Sequence, residues 1–260
     1  QRGLVQGIAT KEPAFGLPAL WVPEEAREQA QMAGYTVVDA GSAIATHLSE
    51  LIKRHGSELL GRQEVQTLLD EVGKSHPKLV EELIPTLVPL GTVVRVLGNL
   101  LKEGIPIRDL RSILEAISDH ATTTKDAEVL TEYARQAFAR TITKQYLASD
   151  GSLQVITLDP RLDRSLAEQA AALPPGAMLN LDPTLSHKLL TGLKQAAERV
   201  AARGQQPIVL CSQVVRRHLR RHSDRQLHAV PVMGLNEVDS FVRLQSIDTF
   251  RIDFESAQLS

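Results

Sequence analysis

The sequence predicts an α+β chain of several small subdomains, and three patterns carry that prediction. The first forty residues mix a short β-branched run with helical pieces. From Gly61 to about Tyr146 the apolar period is almost wholly helical. After Ser149-Asp150-Gly151, strands and helices alternate. The expected architecture is therefore partial small α/β subdomains at the N-terminus, a central helical bundle, and a C-terminal α/β subdomain of about 110 residues.

Along the first forty residues, Ala14–Val22 is apolar but interrupted by Gly16 and Pro18, which predicts an irregular segment with short extended pieces. Pro23 followed by Glu24 and Glu25 starts a helix, and Gly34 ends it. Tyr35–Asp39 reads as a short strand, and Asp39 to Ser42 supplies the cap of a helix over Ala43–His55. That helix carries Ile44, Leu48, Leu51 and Ile52 on one stripe.

In the central block, Leu79, Leu83 and Leu87 form a stripe that Pro85 breaks or kinks. Leu90–Lys102 is a helix with Val93, Val94, Leu97, Leu100 and Leu101 inward, ended by Gly104. Pro106 opens another, and Asp126–Tyr146 is the last, long one. Beyond residue 150 the expected elements are a strand at Leu153–Leu158, helices at Leu162–Ala172, Pro183–Arg203 and Gln213–His222, and strands at Pro207–Cys211, Ala229–Met233 and Phe241–Ile247. Leu173-Pro174-Pro175-Gly176 is a break, and the residues up to Ser260 read as a loose tail.

Composition narrows the function. The 260 residues carry 29 Lys and Arg against 31 Asp and Glu, a net charge of −2, which is not the balance of a nucleic-acid or anionic-membrane binder. Hydrophobic residues at 43% fit a folded core, while aromatics at 3% disfavour base-stacking and carbohydrate platforms. The single Cys211 allows no internal disulfide and no cysteine-built zinc cluster, and reads as a buried small hydrophobe. No apolar run reaches membrane-spanning length. The start, Gln1-Arg2-Gly3-Leu4, has no initiator Met and reads as the interior of a longer protein.

Catalytic signatures are weak. Gly56-Ser57-Glu58-Leu59-Leu60-Gly61-Arg62-Gln63 has phosphate-loop glycine spacing without the Lys and hydroxyl that do the chemistry, so it reads as an inter-helix joint. His218 and His222 stand four apart on one helix, a chelating spacing, but Leu219 replaces the general-base Glu and four arginines surround them. A solvated basic face is the plainer reading of Arg216–His222, which is also the best nucleic-acid hint in the chain. His120 beside Asp119, and His47 and His55 on one helix, stand apart from any nucleophile signature, and Glu81-Glu82 reads as an exposed pair. No catalytic residue, metal ligand or cofactor is expected. The remaining anomaly is Lys11–Val22, which holds the only Trp and one of five Phe in an aromatic-poor chain. Trp21 is expected to plug the core, and Phe15 to offer a rigid apolar anchor to a protein partner.

The segments EPAFGLPALWV, GYTVVDAGSAIATHLSELIKRHGSELLGRQEV, HPKLVEELIP and IPIRDLRSILEAISDHA resemble the flagellar/invasion protein export pore family, the large export-gate proteins of the flagellar type III secretion system and of the related injectisomes. The resemblance covers residues 11–146 closely; beyond 150, LQVITLDP, QQPIVLCSQVVRRHLRR and VPVMGLNEV follow the family order, and the end past Val238 diverges. It implies the later cytoplasmic part of a protein on the bacterial inner membrane, with 1–39 in a second subdomain, 40–59 completing a first, 60–147 a helical third and 148–260 a fourth. It also implies a nonameric ring, no cofactor, contact with other export-apparatus components, and docking of export chaperones with their flagellar substrates. By motif match the docking depression falls on Glu12, Phe15, Val38 and Thr46, with Glu12 standing where the family often has Asp. An injectisome gate handling virulence effectors is the near alternative; a nucleic-acid module using Arg216–His222 and a metal enzyme using His218 and His222 are the remote ones.

Overall fold

The computed structural model describes residues 5–11, 18–174, 176–224, 226–227 and 230–252, without the side chain of Arg54. The expected tail to Ser260 lies outside these residues past Ile252. Two compact units divide the chain, Gln1–Leu60 and Gly61–Ser260.

In the first unit, β1 (Ile8–Lys11) and β2 (Pro18–Trp21) pair antiparallel, with Ile8 opposite Trp21 and Lys11 opposite Pro18. β1 has no sequence signal of its own. Gly7 permits the close approach, because a β-carbon there would meet Trp21 O at 2.6 Å and Val22 Cγ1 at 2.9 Å. Pro23 caps a 3-10 turn, Glu24–Ala26, which runs into α1 (Arg27–Met32), and Gly34 leaves the helix at φ 84°. The strand expected at Tyr35–Asp39 is not formed. That run is coil ending at an extended Asp39, because no described strand lies alongside to complete a ladder. α2 (Ala40–His55) then begins three residues before the expected Ala43, with Asp39 as its N-cap.

The second unit opens with α3 (Arg62–Ser75), whose Glu64 reaches back to the Gly61 N–H at 2.9 Å. α4 (Pro77–Glu81) passes into a π-turn, Glu82–Leu87, where Ile84 leaves helical geometry beside Pro85, the expected break. Glu81 and Glu82 are exposed. α5 (Leu90–Lys102) has the expected bounds and buries Val93, Val96, Leu97 and Leu100. Pro106 does not open the next helix: α6 (Leu110–Ala121) starts at Asp109, whose carboxylate takes both the N–H and the hydroxyl of Ser112. The last long helix is two, α7 (Ala127–Ala137) and α8 (Ala139–Gln145), separated where buried Phe138 turns to φ −99°, ψ 15°.

The C-terminal part is a four-stranded, all-parallel sheet in the order β5-β4-β3-β6. Its strands are β3 (Leu153–Leu158), β4 (Val209–Cys211), β5 (Val232–Gly234) and β6 (Leu244–Phe250). β6 starts three residues later than the expected Phe241, which stands exposed in the turn before it, its N–H bound to Asp239. The helices α9 (Pro160–Ala171), α10 (Pro183–Ala202) and α11 (Gln213–Ser223) lie close to the expected spans. Ile156, Leu158, Val209, Cys211 and Val232 of the sheet share one buried cluster with Leu162, Leu166, Leu189, Leu193, Val215 and Leu219 of these helices. Among the described residues no single helix is long and apolar enough to cross a membrane, although α4 with its π-turn, and α5, reach that length and hydropathy as a pair bent by 108°.

Candidate docking surface

The first unit presents apolar side chains to solvent. Trp21, expected in the core, is 53% exposed and faces Ile8 across the hairpin, itself exposed. Two strands of four residues make too small a layer to enclose an indole. The six residues linking the two strands in sequence include Glu12 and Phe15, and both lie outside the described residues.

α2 and the coil just before it supply the other two expected positions. Asp39 Oδ1 accepts the Ser42 N–H at 2.9 Å and its Oδ2 the Ser42 hydroxyl at 2.6 Å, which together hold the carboxyl below its usual range. Val38, just before this cap, is 59% exposed, and Thr46 lies exposed along the helix. No hydrogen bond joins them among the described residues. Ile44, Leu48 and Ile52 recur every fourth residue, so they share one face, and all three are more than half exposed. At about 100° per residue Thr46 points to the opposite side. α2 thus has two faces, one apolar and unpartnered among the described residues, one bearing Thr46.

The second unit corrects the reading of Arg216–His222 as a solvated basic face. Arg216 is only 2% exposed. Its Nε donates to Glu132 Oε2 at 2.5 Å, its Nη2 to Glu132 Oε1, and its Nη1 to Glu103 Oε2 at 2.7 Å. Arg135 donates from Nη1 to the same Glu103 oxygen at 2.9 Å and forks onto Glu237. Burial alone would raise Glu103, but Arg216 and Arg135 outweigh it and bring the carboxyl to about 2. The sequence did hold a signal for this. Arg216 falls on the stripe of Val215, Leu219 and Ser223, the buried side of α11.

The two histidines hold a loop. His218 Nδ1 accepts the Leu179 N–H at 3.1 Å, and His222 Nε2 lies 2.8 Å from Leu179 O. His218 is therefore neutral, with its hydrogen on Nε2, and burial, then Arg217 and His222, depress it to about 4. Among the described residues no three His, Cys, Asp or Glu gather as a metal site. Cys211 is buried as expected, its thiol pushed well up first by burial and then by Asp163, which makes it a poor nucleophile.

The FHIPEP family model matches residues 1–243. The flagellar biosynthesis protein FlhA of Escherichia coli (strain K12) is 43% identical over 232 residues, 89% of this chain and 33% of that protein. FlhA of Bacillus subtilis (strain 168) is 40% identical over 244 residues, 94% of this chain and 36% of that protein. The chain thus spans about a third of the length of these curated relatives. Among solved structures, the Chlamydia pneumoniae CdsV protein superposes with a TM-score of 0.84 at 29% identity, covering 96% of this chain and 71% of that one. The nonameric EscV cytosolic domain from a type III secretion system gives 0.70 at 26% identity, over 91% and 70%.

Proposed function

The chain belongs to the FHIPEP family of export-gate proteins, and from that premise we propose that it is the chaperone-docking cytoplasmic part of a flagellar type III export gate. The observation that carries this reading is the exposed Trp21–Ile8 pair, in a chain with 3% aromatics. A solvent-facing indole is a side chain on which binding energy concentrates. Glu12, Phe15, Val38 and Thr46 form the proposed docking depression, which takes an apolar chaperone anchor at Phe15 and Val38 and rims it with a carboxylate and a hydroxyl. As a binding and transport component it uses no cofactor and catalyses nothing. It works at the inner-membrane face as one protomer of a ring, like the nonameric EscV domain.

The same reading divides the chain into a second subdomain at 1–39, the end of a first at 40–59, a helical third at 60–147 and a fourth at 148–260. The unpartnered apolar stripe of α2 supports the 40–59 assignment, since such a face serves as the seam for the rest of a subdomain. The flagellar branch is favoured because the chain is up to 43% identical to flagellar biosynthesis proteins and 26% to the EscV domain of a type III secretion system.

Calorimetric titration with a flagellar chaperone bound to its late substrate tests the proposal, on this chain and on a longer one that restores the preceding subdomain. Saturable binding that Phe15→Ala removes is the expected result. A folded longer chain that binds no flagellar chaperone, but does bind an injectisome one, would move the protein to the virulence branch.

A further inference from the structure

The first turns of α9 and α11 are tied together: Asp163 Oδ1 accepts the Ser212 N–H at 3.1 Å and the Ser212 hydroxyl at 3.2 Å. Leu162 and Leu166 of α9 and Val215 and Leu219 of α11 point into one buried cluster. The outward sides carry arginines instead, Arg161 and Arg164 on α9 and Arg217 and Arg221 on α11. Arg217 and Arg221 stand one turn apart on the same side of α11. Val214, on the turn before them, is 48% exposed.

These four differ from the other arginines of the α/β layer. Arg199, Arg216, Arg220, Arg243 and Arg251 each reach a carboxylate. Among the described residues the guanidiniums of Arg161, Arg164, Arg217 and Arg221 reach none. Arg217 lies against the surface with Nη1 buried and without a hydrogen-bond partner. A guanidinium N–H withdrawn from water without an acceptor carries a desolvation cost, which is relieved when the side chain swings out onto a carboxylate. The carboxylates nearby do not serve it. Asp163 is engaged by Ser212, Asp224 by Arg220, and Glu168, exposed one turn beyond Arg164, forms no ion pair.

We propose that the outward face of α9 and α11 docks an acidic segment of a partner protein, with Arg217 and Arg221 as the main contacts and Arg164 at the rim. This surface belongs to the second unit and stands independently of the docking depression proposed in the first. Cations without a counter-charge, in a chain whose own net charge is −2, call for an anion from outside. All four are arginine, whose planar fork takes a carboxylate by two parallel hydrogen bonds where lysine offers only a point charge. The one-turn spacing of Arg217 and Arg221 matches carboxylates one turn apart on a partner helix, and Val214 gives that helix an apolar footing. Nucleic acid and anionic lipid share the negative charge. The two helices, however, hold no Phe, Tyr or Trp on which a base could stack, and their outward sides offer little but Val214 to an acyl layer.

Fluorescence anisotropy on the whole chain tests this, using a labelled alanine-based helical peptide with glutamate pairs one turn apart and the same peptide with glutamine in those places. The expected result is saturable binding of the glutamate peptide alone, weakening as salt rises. Arg217→Gln and Arg221→Gln should each weaken it about fivefold, and Arg217→Lys should weaken it less. Arg243→Gln, which removes a cation already paired with Asp150, should leave binding within about twofold. The Nε–Hε magnetic resonance signal of Arg217 should shift as the glutamate peptide is added. No binding, equal binding of both peptides, or binding that both glutamine variants leave unchanged would overturn the proposal. Tighter binding of a DNA duplex or of phosphatidylglycerol vesicles through the same arginines would overturn it too, and make the face a nucleic-acid or lipid surface. Arg217 and Arg221 lie outside the core cluster, so their variants keep the fold and the readings decide between these outcomes.

Discussion

Arg135 and Glu237, 102 residues apart in the chain, form a two-pronged ion pair, Nε to Oε1 at 2.5 Å and Nη2 to Oε2 at 2.9 Å. Thr143 reinforces it, donating to Glu237 O at 2.9 Å and accepting the Asp239 N–H at 3.0 Å. The turn after β5 is thereby fastened to α7 and α8. Arg135→Met strips Glu237 and Glu103 of a shared cation and should cost about 3–5 kcal/mol in urea unfolding. Arg140→Met, which removes an exposed partner of Asp239, should cost less than about 1 kcal/mol. Equal losses would mean that burial of the charge is not what matters.

Gly192 of α10 lies against the ring of Phe250 at the end of β6, so close that a β-carbon there would overlap Phe250 Cε2. Gly192→Ala should therefore destabilise the α10–β6 contact by about 1–3 kcal/mol despite the better helix propensity of alanine. Phe250→Leu should recover part of that loss in the double variant, and a urea double-mutant cycle measures the coupling. Strict additivity would show that the two residues do not press on one another.

What the sequence disclosed follows the range of the interactions concerned. α5 and α10 were legible almost to the residue, because Asp182, Pro183, Gly104 and Gly204 act on their own neighbours. Asp39 as the cap of α2 was legible for the same reason. The Tyr35–Asp39 strand failed because β-branched residues report a preference for extension and say nothing of a partner strand. Arg216 was misread because its carboxylates come from residues 84 and 113 positions away, which no local pattern reveals. Of the candidate docking residues, Val38 and Thr46 are exposed as a binding surface requires, while Glu12 and Phe15 lie outside the described residues.

The histidine hold on Leu179 predicts a pH dependence. His218 accepts the Leu179 N–H only while neutral, and its folded value of about 4 lies below the 6.5 of the unfolded chain. The unfolded state therefore takes up the proton first. Stability is full above about 6.5, falls as pH drops toward 4, and is lower by about 1–2 kcal/mol near pH 5. His218→Gln retains an acceptor but cannot titrate, so its unfolding midpoint should lack this component between those pH values. An unchanged slope would assign the acid sensitivity elsewhere.

The apolar stripe of α2 gives the sharpest test of how the first unit is completed. Cys211 is buried with its thiol pushed well up, so a cysteine placed elsewhere can be labelled without competition. Leu48→Cys, on a face that is more than half exposed, should react in this chain at nearly the rate of a free thiol. It should not change stability by more than about 0.5 kcal/mol, since no packed contact is lost. In a longer chain carrying the preceding subdomain, the proposed seam closes over this face and labelling should slow by more than about tenfold. Thr46→Cys, on the opposite face of the same helix, should stay reactive in both. If Leu48→Cys is equally reactive in the long chain, α2 does not complete that subdomain, and its stripe is free to join the docking surface.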